Sequence, residues 1–135
     1  MPPPDRDRQI DALLARYRKL LEQRLPSGPQ RIDEIEQTVE EISREMEREL
    51  TRRILDQQER SRDAEASCPC GAPARSRGWR ERRLMTAHGE QVLRRRYYYC
   101  ERCHHGLAPL DDALGLDRGS TTPVVRQWIA EGALP

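Results

Sequence analysis

All four cysteines of the chain lie in two short clusters, Cys68-Pro69-Cys70-Gly71 and Cys100-Glu101-Arg102-Cys103-His104-His105. No other feature restricts the fold so strongly. Thiols two or three positions apart reach one point in space from a single turn, and two such turns supply the four soft ligands of a tetrahedral ion such as Zn2+. Between the clusters lie two runs of strand character, Trp79 to Thr86 and Gln91 to Tyr99. They are joined by Ala87-His88-Gly89-Glu90, a turn by composition whose glycine is free to adopt positive φ. A thiol pair at each end of a hairpin predicts a zinc ribbon. In such a module one structural Zn2+ replaces the core that so polar a segment cannot build.

The predicted ligands are Cys68, Cys70, Cys100 and Cys103. Cys100 and Cys103 have the ordinary spacing, whereas Cys68-x-Cys70 is one residue short of it and is the weaker match. His104 and His105 follow the second pair directly and are alternative donors to a thiolate. A disulfide pair and a site that has lost its metal stay open as well. A redox Cys-x-x-Cys normally opens a helix within a βαβ pattern, and none surrounds Cys100. Disulfide frameworks belong to secreted chains, and Met1 to Arg6 lack the apolar stretch of a signal peptide. No run approaches the ~20 apolar residues of a membrane span. The expectation is a soluble, cytoplasmic protein whose reduced thiols favour metal.

With 135 residues, 35% of them charged, no Phe and a mean hydropathy of −0.94, the chain has little for a conventional core. It reads as one ordinary domain or two very small ones, of modular α+β class. Three segments are expected: helices over 1–66, the ribbon over 67–110, and a turn with an incomplete helical tail over 111–135. Their formal net charges are −3, +6 and −2. The positive excess therefore sits on the metal-binding segment, as suits a module that faces phosphate.

In the first segment Ile10, Leu13, Leu14, Tyr17, Leu20, Leu21 and Leu25 form one helical stripe from about Arg8, with Asp5 or Asp7 as cap, until Pro26-Ser27-Gly28-Pro29 stops it. A second helix is expected from Ile32 to Gln58. Its Ile32, Ile35, Val39, Ile42 and Met46 keep the steps of a coiled-coil seam, which breaks at Glu49 and resumes one position later with Leu50, Ile54 and Leu55. Two readings fit, a helical hairpin and a homo-oligomer formed through residues 32–55. They are compatible, because two helices alone bury little surface. The charges around the seam read as a solvated face. Gln58 to Ser67 reads as frayed helix passing into a linker.

The second strand alternates Arg94 and Arg96 with Arg95, so both faces carry charge, and places Tyr97 and Tyr99 opposite Tyr98. The nucleic-acid contacts expected are Arg75, Arg77, Arg80, Arg82, Arg83, Arg94, Arg95, Arg96 and Tyr98, the arginines on phosphate and the tyrosine stacking or hydrogen-bonding. At least one tyrosine is expected to pack on the cysteine turns instead. In the tail, adjacent Asp111 and Asp112 make a poor metal pair and read as caps of a turn. Thr121-Thr122-Pro123 reads as cap and first-turn proline of a last helix, which meets no evident partner before Pro135.

Five pieces, in order, carry a resemblance: Ile32-Asp33-Glu34-Ile35-Glu36, Cys68-Pro69-Cys70-Gly71, Met85-Thr86-Ala87-His88-Gly89-Glu90, Arg96-Tyr97-Tyr98-Tyr99-Cys100-Glu101-Arg102-Cys103, and Gly106 through Leu116. Together they resemble the amino-terminal region of ISKra-type insertion-sequence transposases. The run Ala108-Pro109-Leu110-Asp111-Asp112-Ala113-Leu114-Gly115-Leu116 is the most specific of them. The resemblance implies a zinc-ribbon, DNA-contacting region ahead of an RNase H-like catalytic domain, which cuts and joins DNA by two-metal phosphoryl transfer. Its acidic residues would lie beyond Pro135, so no catalytic residue and no small-molecule substrate is assigned here. The expected function is a zinc- and DNA-binding amino-terminal portion of a transposase, acting on element ends and nucleoid-associated when bound. The alternatives are a protein-interaction or regulatory ribbon and a fragment without function.

Overall fold

The computed structural model describes residues 3–60 and 65–133. In chain order the elements are α1 (Pro3–Arg24), α2 (Ile32–Arg60), β1 (Glu65–Ser67), β2 (Pro73–Thr86), β3 (Gly89–Cys100), β4 (His105–Leu107), α3 (Pro109–Ala113) and α4 (Pro123–Glu131). The architecture is α+β, as expected. Two compact units divide the chain, Met1–Thr51 and Arg52–Pro135. The division thus falls inside α2, close to the break in its apolar seam, and not at residue 66. The tail beyond residue 110 shares a unit with the sheet. Among the described residues no helix is long and apolar enough to cross a membrane.

Helix α1 begins ahead of Arg8. Its first positions are prolines, tolerated where no intrahelical N–H bond is needed, and Asp5 lies within the first turn, where the helix dipole favours a negative charge. Asp5 is therefore not the cap. Helix α1 runs antiparallel to the first part of α2. Arg24 reaches Glu45 at 2.6 Å and Glu41 at 3.7 Å, Arg16 lies 4.0 Å from Glu49, and the Tyr17 hydroxyl donates to the Met46 carbonyl at 3.2 Å. Burial, and then the Glu49 charge, raise the Tyr17 phenol above its ordinary value and keep it a donor. Among the described residues of this unit only Leu20 and Ile42 are buried hydrophobics. Leu14, Leu25, Ile32, Ile35 and Val39 stay exposed.

The second unit is built on one antiparallel sheet of order β1-β2-β3-β4. Thr86 pairs with Gly89 across an Ala87-His88 loop, and Gly89 takes φ +101°, the freedom expected of it. Strand β2 starts at Pro73 rather than Trp79. Arg75 and Ser76 already pair with Tyr99 and Tyr98, and a bulge then places Arg77 and Gly78 against one residue of β3. Residues 65–67 are likewise not linker, since Glu65, Ala66 and Ser67 pair with Arg75, Ala74 and Pro73. The middle of the expected linker, 61–64, lies outside the described residues.

Because β3 alternates without interruption, its two ends bury opposite faces. Leu93 and its neighbour Leu84 are covered by Leu110 of α3, with Leu55, Leu114 and Leu116 at the margin. At the other end Tyr98 and Cys100 pack on the opposite face with Cys68 and Ala74. The last turns of α2 cover the open edge of β3. Arg52 donates to the Val92 carbonyl, and Glu59 accepts the Arg96 backbone N–H at 3.0 Å. An edge so occupied cannot template a further strand.

Asp111 does not cap α3, whose N-cap Ala108 makes no side-chain bond. Its carboxylate instead ties α3 to the sheet. Arg82 reaches it at 3.0 Å and Arg95 at 3.0 and 3.2 Å, all three side chains being only 14–15% exposed. Thr122 does stand at the N-cap of α4 with Pro123 next, yet its hydroxyl makes no cap bond. The tail has a partner after all. Met85 N–H donates to Ser120 at 2.7 Å, Thr122 N–H donates to Met85 at 3.1 Å, and Val125 of α4 is buried. Truncating Leu93 to Ala should cost about 2–5 kcal/mol of stability through the cavity it leaves. Asp111→Ala should cost on the order of 3 kcal/mol by stranding two guanidinium groups. Denaturant titration of the metal-loaded protein would measure both.

Candidate metal centre and the basic hairpin

In a meander of this order the β1–β2 and β3–β4 connections lie at the same end of the sheet, and each is a cysteine turn. The first is closed by Gly71 N–H donating to the Cys68 carbonyl and Cys68 N–H donating to that of Ala72, both at 2.9 Å. Gly71 at φ +90° lets so short a loop turn back, which is how Cys68-x-Cys70 succeeds with one residue fewer than usual. The second turn leaves β3 at Cys100 and re-enters the sheet through His104, in the left-handed region at φ 53°.

The four Sγ atoms all lie within 4.8 Å of one another and could hold one metal ion. Cys68 and Cys103 are 3.7 Å apart, and Cys70 and Cys100 3.6 Å. Four ligands at about 2.3 Å from a tetrahedral ion would be about 3.8 Å apart. All four thiols are free, so the disulfide alternative is not realised. Neither histidine joins them: His104 Nδ1 faces the Tyr99 hydroxyl at 3.3 Å, and His105 opens β4. A closed set of four thiolates leaves no position for a substrate, so the chemistry it fits is structural.

The protonation of the cluster bears on how it could take up a cation. The Cys103 thiol, and then the Ala72 backbone N–H, donate to Cys70 and lower it to about 6. Cys103 is pushed up to about 12 by its contacts with the thiols of Cys70 first and Cys68 second. At Cys68 the Cys70 backbone N–H pulls the value down, but burial and the Cys70 and Cys100 thiols together leave it raised. Without metal the Cys70 sulfur is readily charged, while Cys68 and Cys103 hold protons that a bound cation would displace.

The structure sorts the arginines of the hairpin into distinct roles. Arg82 and Arg95 are held by Asp111, and Arg82 also donates to the Asp117 and Gly119 carbonyls, so neither is presented to a ligand. Arg77 pairs with Glu101 at 2.5 Å and Arg83 with Glu90 at 3.3 Å, both in solvent. Arg75 and Arg80 are exposed, the latter 3.9 Å over the Tyr97 ring. Arg94 and Arg96, on the face opposite Arg95, flank the Trp79 ring at 5.5 and 5.0 Å. Tyr98 requires a correction. It is 2% exposed and packs with Cys68, Ala74 and Cys100, so it supports the cysteine turns rather than facing a ligand. The sequence predicts one tyrosine in that place, and alternation alone does not say which.

Two residues have roles that the sequence does not announce. Asp111 has the look of a cap, and only the fold brings Arg82 and Arg95 to it. Trp79 reads merely as strand, although its place between two arginines follows once the register pairs it with Arg96. Comparisons of the chain with protein-family models, curated proteins and solved structures find no match.

Metal affinity should rise steeply from pH 6 to pH 9, because Cys103 is protonated throughout that range in the metal-free protein and each proton competes with the ion. Adding Zn2+ to weakly buffered apoprotein at pH 7 should therefore acidify the solution. Cys100→Ser should abolish uptake of one equivalent, as read by native mass spectrometry.

Proposed function

We propose that the chain is a zinc-binding, DNA-contacting module, the amino-terminal portion of an insertion-sequence transposase of the ISKra type, and that it carries no catalysis of its own. The observation that supports it best is a four-thiol cluster closing one end of a sheet whose hairpin exposes Arg75, Arg80 and Arg94 and leaves Arg96 half-buried beside Trp79. Zinc suits the donor set, since four thiolates in a tetrahedron are its usual structural site. The ribbon geometry then serves as a stiff mount for phosphate contacts, and DNA at the ends of a mobile element is the partner that the resemblance implies.

The helical unit supplies the second half of the reading. Its exposed Ile32, Ile35 and Val39 lie on one seam of α2, and a hairpin with two buried hydrophobics gains stability by covering them. The cover proposed is a second copy of this chain. A pair of copies would present two ribbons, one for each end of an element.

Zinc-loaded protein should bind duplex DNA with an affinity that falls steeply with salt. Replacing Arg94 and Arg96 together by Ala should flatten the log–log slope by about 0.9 for each phosphate that is no longer neutralised, with zinc content unchanged. Ile35→Asp with Val39→Asp should shift sedimentation toward the monomer. Self-association and zinc binding without DNA affinity would favour the interaction module instead.

A further inference from the structure

Strands β2 and β3 have one face covered by α3 along the hairpin, while the opposite face carries Trp79, Glu81, Arg83, Met85, Val92, Arg94 and Arg96. Trp79 is 46% exposed there, nearly half of a large aromatic residue left in water on the sheet. Two guanidinium groups stand over or beside that ring, and they belong to the neighbouring strand at positions two apart. That spacing is about 6.8 Å along β3, a step that an extended polynucleotide backbone can follow from one phosphate to the next. Neither Arg94 nor Arg96 has an ion pair with a described carboxylate, whereas Arg83 on this face pairs with Glu90, and Arg77, Arg82 and Arg95 pair elsewhere on the hairpin.

On one side the indole borders an open recess of about 460 Å³, lined by Asp56, Glu59, Trp79 and Arg94. The patch is therefore polarised, cationic over the ring and acidic at the recess. A nucleotide laid on it is oriented by that difference. Its phosphate is drawn to the arginines and repelled from the carboxylates, which leaves the base to lie on the indole. A base is free to do so only when it is unpaired. Stacking of this kind is tolerant of sequence, because every base has a π-face.

We infer that Trp79, Arg94 and Arg96 form a stacking platform for unpaired DNA, with the base on the indole and the flanking phosphates on the two guanidinium groups. The inference rests on the DNA-contacting reading above and adds to it the strand state of the substrate.

The test uses the full zinc-loaded chain with Trp128→Phe, so that Trp79 is the sole indole. The probes are an oligothymidylate of about 12 nucleotides and a mixed-sequence duplex of the same length. The single strand should quench Trp79 emission and bind more tightly than the duplex. In the native background Trp79→Ala should lose about tenfold or more in affinity for the single strand with little change for the duplex, and Trp79→Phe should keep most of it. Zinc content and circular dichroism check that each variant is folded, and Trp79→Phe preserves an apolar ring should the Ala variant not be. Unchanged single-strand affinity in folded Trp79→Ala would overturn the platform. If Arg94→Ala with Arg96→Ala still weakened duplex binding, the broader DNA reading would survive that result. Absence of binding to either probe would overturn both.

Discussion

Four sulfur atoms lie within 4.8 Å of one another, an arrangement to which thiols alone lend little cohesion. Full ionisation would crowd four negative charges, and full protonation would leave a poorly bonded cluster at the end of a thin sheet. Much of the second unit can be understood as the means of bringing those sulfurs together. The meander order places both turns at one end, Gly71 and His104 take the left-handed backbone that the turns need, and Ala74 and Tyr98 pack behind Cys68 and Cys100. With so few apolar side chains to bury, the sheet depends on this junction more than a larger domain would.

The other end of the sheet is held differently. There Leu84 and Leu93 meet Leu110, and the Asp111 carboxylate takes two arginines beside them. The single carboxylate leaves a surplus positive charge at a poorly hydrated place, which the carbonyls of Asp117, Gly119 and Arg80 help to solvate. The formal +6 of residues 67–110 is therefore not all available to a partner. Part of it is structural, and what reaches solvent is divided between the two faces, Arg94 on that of Trp79 and Arg80 on that of Arg95.

Many of these features are legible in the residues themselves. The cysteine spacing announces the cluster, Pro26 through Pro29 mark the helix break, and the alternation of Arg94, Arg95 and Arg96 places them correctly on two faces. What stays hidden depends on contacts distant in sequence. Residues 65–67 have no apolar rhythm and become a strand only because β2 offers an edge. Tyr98 and Tyr99 are chemically alike, and the position of the cysteine turns decides which is buried. Asp111 resembles an ordinary capping residue until the fold delivers arginines from two strands. The short first cysteine loop looks doubtful because spacing rules assume an average backbone, whereas a glycine at positive φ changes the reach of the turn.

The placement of the thiols also orders events in time. Cys70 and Cys100 are separated by 30 residues, and between them the chain reverses at Ala87-His88. Closing a loop of that length by random search is entropically unfavourable, but a hairpin zipped from its own turn shortens the search to the last few residues. Strand pairing would thus precede capture of an ion by the four thiols, and the ion would then act as a latch on a structure already aligned. Until an ion is bound, the hairpin would be aligned but unlatched, so its rigidity would follow the availability of metal rather than the formation of its strands.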